Sequence, residues 1–325
     1  MFSGKRILVA GGTGMIGRFL VKRLANLNAN VIVASMDDIE GKFPVGASRC
    51  ENVDFRSNYE TSGLFAQIRP DIVFSLLGVK GSPKAVKDHP SRFFVPQLQF
   101  NTNLMDAAMK FGVEWYLYTS SLGVYPKAQI YYEDNMWTDF PSRDDWFGGW
   151  AKRMGEVQAE AYNIEGHKNI SIVRPTNVYG PHDNFDLENA MVVPSLIRKI
   201  MTQKDVEVWG DGSQIRDFMY ADDVARAMIH VVEWKMTDPV NIGTGIGTSI
   251  RELVDTIVEC SNKKVRIHWD LSKPIGDKTR IMNVDRLRNI GFHPQHDLKY
   301  GVGETIKWFV ENEKTVDNRY NAFKE

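Results

Sequence analysis

Short runs of consecutive apolar residues alternate with longer stretches in which apolar side chains recur every three or four positions. RILVA at 6–10, the apolar run at 31–34, DIVFSLL within 71–77, WYLYTS at 115–120 and ISIVR at 170–174 predict buried strands. The β-branched content and Gly-rich flanks favour strand over buried helix. The 3.6-residue spacing predicts helices over 16–27 and 101–111 between them. Short apolar strands separated by helices indicate a parallel sheet covered on both faces. The second half is less regular. It predicts helices over 193–203, 221–234, 249–260 and 303–311, and strands over 206–209 and 265–269. Two loop-rich stretches, 180–189 and 272–277, are placed to frame a ligand. No repeat, low-complexity tract or linker interrupts the chain.

The 325 residues suffice for two domains, or for one large domain with a substrate lobe. Forty Lys and Arg balance forty-one Asp and Glu, so the net charge is −1. A nucleic-acid or membrane-surface binder would usually carry a basic excess, so neither is expected. No run reaches the roughly 18 apolar residues of a membrane span. The N-terminus lacks the apolar core of a signal peptide. The two cysteines, Cys50 and Cys260, imply no disulfide framework, and a reducing cytoplasm is the expected location. The histidines are scattered without ligand spacing, so no metal is expected.

The first strand runs into GGTGMIG at 11–17 and then a helix. Gly11, Gly14 and Gly17 permit a tight turn and close approach of backbone to a pyrophosphate. The helix start adds free N–H groups and the positive end of its dipole. A β-branched residue at Gly14 would block that approach and resist a positive φ. Met15 and Ile16 complete the turn. The second strand ends Ser35-Met36-Asp37-Asp38, where a carboxylate accepts from free ribose hydroxyls and repels a 2′-phosphate. No Arg follows this strand, so NAD is favoured over NADP. Capping of the next segment is an equally good account of the two aspartates.

Together with Asp54, Ser120-Ser121 ahead of Val124-Tyr125, and RPTNVYGP at 174–181, the glycine turn resembles the extended short-chain dehydrogenase/reductases that act on nucleotide sugars. The C-terminal half resembles the GDP-L-fucose synthases in PTNVYGPHDNF (175–185), VWGDGSQIRDFMYADDVA (208–225), NIGTGIGTSIREL (241–253) and DLSKPIGDKTR (270–280). The resemblance implies a Rossmann-type doubly wound α/β sheet with a smaller C-terminal α/β substrate lobe. Residues 1–177, with roughly 214–246, would form the dinucleotide domain; 178–213 and 247–325 would form the nucleotide-sugar lobe. It implies NAD bound by Gly11, Gly14, Met15, Ile16, Gly17, Asp37, Asp38, Asp54, Leu76, Leu77, Gly78, Lys80, Lys152 and Pro175. Ser121 would hydrogen-bond the reacting sugar hydroxyl, and Lys152 would hold the nicotinamide ribose. Asn177, Lys199, Arg216 and Arg280 would bind the substrate, the two arginines at its diphosphate. A homodimer is implied, built on helices 101–111 and 151–163, with Leu104, Met105, Ala108 and Met109 as an apolar stripe that could equally face the sheet.

The pattern breaks at the proton-transfer tyrosine, four positions before Lys152, where Gly148 stands. Tyr131, Tyr132, Asp144 and Asp145 lie on the preceding loop, and nothing in the spacing places them. An ordered water in the space of the missing ring is the favoured relay. The cysteine and histidine of the epimerising branch are Gly123 and Met191 here. The acid that dehydratases carry after the serine is absent from Leu122-Gly123. The asparagine near the cofactor corresponds to Gln97. The expected activity is NAD(P)-dependent oxidoreduction or epimerisation of a GDP- or other nucleotide sugar, with hydride transfer at C4. The alternative is a protein that holds NAD and a nucleotide sugar without turnover.

Overall fold

The computed structural model describes residues 1–37, 43–79, 81, 83–273 and 276–315. The candidate residues Asp38 and Lys80 lie outside the described residues.

Every residue of Ile7–Ala10 is fully buried, so strand β1 (Arg6–Ala10) must pack on both faces. Alternation of side chains sends Ile7 and Val9 to one cluster, Leu8 and Ala10 to the other. Helix α1 (Met15–Asn26) covers the first face, and β2 (Asn30–Ser35) and β3 (Arg49–Asn52) continue the sheet outward. Helix α2 (Asn58–Ile68) covers the second face and leads back to β4 (Ile72–Ser75), on the other side of β1. Then follow α3 (Pro90–Lys110), β5 (Trp115–Thr119), α4 (Trp146–Ile164) and β6 (Ile170–Pro175). The seven-stranded sheet closes with β7 (Val240–Ile242) in the order β7-β6-β5-β4-β1-β2-β3, all parallel. It is the doubly wound Rossmann-type architecture. The winding reverses between β1 and β4, and a crevice opens at their carboxyl ends, where ligands bind in such sheets.

Helix α3 starts eleven residues before the periodicity indicates. Pro90 occupies its first turn and Pro96 lies inside it. Its buried face is carried early on by the polar Gln97 and Asn101, so hydrophobic spacing alone misses it. Leu104, Met105, Ala108 and Met109 are buried in the second core cluster. The stripe therefore faces the sheet, because α3 packs β4 and β5 from that side.

Outside the sheet, α5 (Val192–Thr202), α7 (Ile250–Ser261) and α8 (Leu298–Asn312) enclose a separate core with the parallel strands 205–209 and 266–270. Ser249 and Glu252 form a reciprocal capping box that fixes where α7 begins. Helix α6 (Ala221–Glu233) returns to the large sheet beside α1, ahead of β7. A small mixed sheet orders its strands 248–249, 215–216, 279–282 and 130–131. In it Arg216 is the register partner of Arg280. Among the described residues no helix is long and apolar enough to cross a membrane.

Candidate active site

Gly11 takes φ +79°, and a Cβ there would lie 3.2 Å from Leu76 O. A Cβ on Gly17 would stand 2.6 Å from Gly11 O and 2.6 Å from Gly12 Cα, so α1 touches the turn through a bare backbone. Gly14 differs from expectation. Its φ is −71°, in the extended region, and it caps α1 without a side chain. A valine at Gly14 would obstruct a ligand by bulk; positive φ is the requirement of Gly11. The turn presents bare Cα atoms, uncapped first-turn N–H groups and the positive dipole end of α1, a combination suited to an anionic group.

The crevice at the carboxyl ends of β1 and β4 is a cleft of about 410 Å³. The glycine turn with Met15 and Ile16 forms one wall, and Leu76, Leu77, Gly78 and Pro175 line it next. Ser121, Lys152, Asn177 and Arg280 line the same space. Two stretches of chain, one after β5 and one along α4, thus put the serine and the lysine on one cleft.

Ser121 caps the short helical turn at 122–124, its Oγ accepting from Gly123 N at 3.1 Å. Lys152 Nζ donates to Leu77 O (3.1 Å) and Thr119 O (2.9 Å). Burial pushes the Lys152 ammonium down to about 7, against the opposing charge of Glu156 one turn along α4. An amine whose pKa falls on folding stabilises the fold increasingly as pH rises above that value, because the unfolded chain still holds the proton. Stability relative to Lys152→Met therefore increases from pH 7 to 10 by on the order of 1 kcal/mol per pH unit. Urea unfolding of both proteins at four pH values measures this. A difference independent of pH means that the buried amine keeps its proton.

Behind the cleft, Glu156 accepts from Ser120 Oγ and from Arg174 Nε (3.0 Å) and Nη2 (2.7 Å). Arg174 also donates to Tyr125 OH and Glu133 O, both at 2.8 Å. This buried network ties β6 to α4 and holds the strand end from which Pro175 and Asn177 follow.

The remaining candidates are spread more widely. Asp37 accepts from Thr13 Oγ1 and lies 3.3 Å from Ser35 Oγ, at the end of β2. Arg18 Nε donates to Thr13 O, bringing a guanidinium to the same turn from within α1. This arginine stands on α1, not after β2. The Asp54 carboxylate is paired with Arg56. Lys199 is on α5, bonded to Glu207 O at 3.1 Å, and is not among the described residues that line the cleft. Nor is Arg216, although its strand neighbour Arg280 is.

A Cβ on Gly148 would lie 2.9 Å from Phe93 Cε1, so the Phe93 ring edge packs against the helix where the tyrosine would project. Tyr131 is stacked on Tyr125 with its hydroxyl accepting from Arg280, and Tyr132 is half exposed. Neither is among the described residues lining the cleft, whereas Asp144 and Asp145 are. Thr119 and Phe93 line the cleft and Glu156 stands behind it, and motif spacing did not single out any of the three.

Residues 7–243 match the sequence profile of the NAD dependent epimerase/dehydratase family. This chain belongs to that family. The probable GDP-L-fucose synthase 1 of Oryza sativa subsp. japonica is 32% identical over 320 residues, covering 95% of this chain and 93% of the rice protein. The GDP-L-fucose synthase of Escherichia coli (strain K12) is 30% identical over 331 residues, covering 96% and 98%. Among solved structures, a GDP-L-fucose synthetase from Naegleria fowleri bound to NADP superposes with a TM-score of 0.85 at 23% identity, covering 98% of this chain and 96% of that one. In this family member the extended short-chain dehydrogenase/reductase fold carries glycine at position 148.

Proposed function

We propose that this family member transfers hydride at a ring carbon of a nucleotide sugar, C4 by its likeness to GDP-L-fucose synthases. The observation that carries the reading is the single cleft on which Ser121 and Lys152 lie between a dinucleotide cradle and Arg280. The cradle fits a nicotinamide dinucleotide: Gly11 and Gly17 have no room for side chains, and Gly78 opens onto the cleft with nothing within 4 Å of where its Cβ would be. A bound nicotinamide supplies or takes the hydride. Lys152 holds its ribose, and Ser121 orients the sugar hydroxyl. Asn177 and Arg280, with Arg216 beside it, take the diphosphate side; Lys199 and Asp54 belong to the outer edges of the two ligands. Gly123 and Met191 line the cleft without an acid or base, which supports hydride transfer without inversion at a neighbouring carbon. The test incubates NAD(P)-loaded protein with GDP-, UDP-, dTDP- and CDP-sugars, reading cofactor absorbance and product mass. Ser121→Ala and Lys152→Ala should each lose about tenfold or more. Tight binding of nucleotide sugars with no product from any of them would replace this reading with that of a binding protein.

NAD is the preferred cofactor in this reading. Asp37, fixed by Thr13 and Ser35, offers an acceptor to ribose hydroxyls and repels a 2′-phosphate. Asp37→Ala should lower NAD affinity and raise NADP affinity, changing their ratio by about tenfold. Calorimetry with both cofactors measures it, and an unchanged ratio refutes the role of Asp37.

The protein is a homodimer in this reading, through the outer side of α3 and α4. Val95, Phe147, Met154 and Val157 are exposed there, which gives the helix pair an apolar surface to cover. Light scattering at micromolar concentration should give twice the chain mass; the mass of one chain overturns the assignment.

A further inference from the structure

With glycine at 148 and no ring there to take a proton, hydride transfer still requires an acceptor for the hydroxyl proton. Asp145, Gly148 and Lys152 are spaced i, i+3 and i+7, so they follow one face of α4 from its start. Asp145 caps α4 yet makes no side-chain cap hydrogen bond, the usual task of an aspartate in that position. Its carboxylate turns to the cleft instead. A Cβ on Gly123 would lie 3.2 Å from Asp145 Cβ and 3.5 Å from its Oδ1, and Ser121 Oγ is 3.1 Å from Gly123 N. The carboxylate and the serine hydroxyl therefore flank the same bare glycine. The opposite side of Asp145 is an ion pair with Arg280 Nη2. Arg280 is further held by Tyr131 OH at 2.9 Å and Asp277 Oδ2 at 3.6 Å, and Arg216 adjoins it in the small sheet.

We infer that Asp145 stands in for the absent tyrosine as the acceptor of the sugar hydroxyl proton, and that Arg280 keeps it paired until a substrate diphosphate draws the guanidinium away. This rests on the nucleotide-sugar reading above. In the oxidising direction the carbinol C–H bond breaks, its electron pair leaving as hydride for the nicotinamide. The O–H bond breaks as its proton moves to a carboxylate oxygen of Asp145, and the carbon becomes a carbonyl. The sugar is oxidised, the cofactor is reduced, and Asp145 ends as the neutral acid. The reverse direction returns that proton to the alkoxide. A diphosphate carries more charge than one carboxylate, so Arg280 exchanges partners toward it. Asp145 then loses its counter-ion as the sugar arrives, which leaves its carboxylate oxygens open to the hydroxyl proton.

The experiment uses the full chain loaded with NAD, with GDP, UDP and dTDP as calorimetric probes and the sugar panel as substrates. Asp145→Asn removes the competing anion and should bind the best nucleoside diphosphate about fivefold more tightly. Arg280→Met should bind it about tenfold or more weakly. On the sugar turned over by the wild type, Asp145→Asn should lose about 10²–10⁴-fold in kcat with KM unchanged or lower, and Asp145→Glu should recover part of it. Retention of kcat in Asp145→Asn overturns the proposal. So does nucleoside diphosphate affinity that is unaffected by both substitutions, or no such binding in the wild type. Absence of turnover by the wild type defeats the activity reading instead, and the Asp145–Arg280 exchange is then decided by the binding arm alone.

Discussion

Glu156→Gln lowers the stability of the fold by about 3–5 kcal/mol, the usual cost of removing one partner from a buried ion pair. Side chains of Arg174 and Glu156 are 2% and 4% exposed. Arg174 donates twice to Glu156, and its remaining partners, Tyr125 OH and Glu133 O, are neutral. An amide in place of the carboxylate keeps one acceptor, presents an NH₂ group to the guanidinium, and leaves a cation deep in the core. The loss also reaches the cleft. Glu156 opposes the desolvation of Lys152, so without it the lysine is driven further toward the neutral form. The double substitution Glu156→Leu with Arg174→Met should regain much of the stability, since apolar replacements of buried pairs are often neutral or favourable. Chemical unfolding of the three variants decides the matter. A single substitution costing under about 1 kcal/mol would place the pair among those worth as little as surface bridges.

Gly17→Ala should cost NAD affinity about 10²-fold, the scale on which a misplacement of about 1 Å acts at a preorganised site. The added methyl meets Gly11 O, Gly12 Cα and Gly12 C at 2.6–2.7 Å, all backbone. No rotamer relieves such a contact. The first turn of α1 must move off the glycine turn, and the N–H groups that face the diphosphate move with it. Gly63 supplies the control: it lies inside α2 with nothing within 4 Å of a Cβ. Gly63→Ala should leave NAD binding unchanged and favour the helix by about 1 kcal/mol. Titration of NAD into both variants, with circular dichroism to confirm folding, tests the contrast. Wild-type affinity in folded Gly17→Ala would show that close helix–turn contact is not what makes the cradle.

The glycine turn of the candidate site was legible because its determinants are local. A fully buried strand needs an unbroken apolar run, as in 6–10, and a chain that turns straight into a helix around a diphosphate needs bare Cα atoms within seven residues. The same locality made the helices 192–202, 221–233 and 250–261 readable to within a residue or two. Strand 49–52, RCEN, escaped because it is an edge strand with polar, half-exposed positions and no periodicity to register. Helix 90–110 was foreshortened because its first half buries Gln97 and Asn101 rather than aliphatic residues.

The sequence by itself determined the parallel α/β class, the position of the glycine turn between β1 and α1 and the glycine at 148. Each follows from side-chain type over a handful of neighbouring residues. Only the tertiary structure decided what packs beside Gly148, since Phe93 reaches it from a different helix. It also decided that the stripe of Leu104 and Met105 faces inward, because periodicity identifies an apolar face without saying which of two surfaces covers it. Asp145 and Arg280 are 135 residues apart, and their pairing depends on where the strand 279–282 docks against 130–131. Spacing along the chain carries no record of such a contact, because strand order and loop closure set it rather than local propensity.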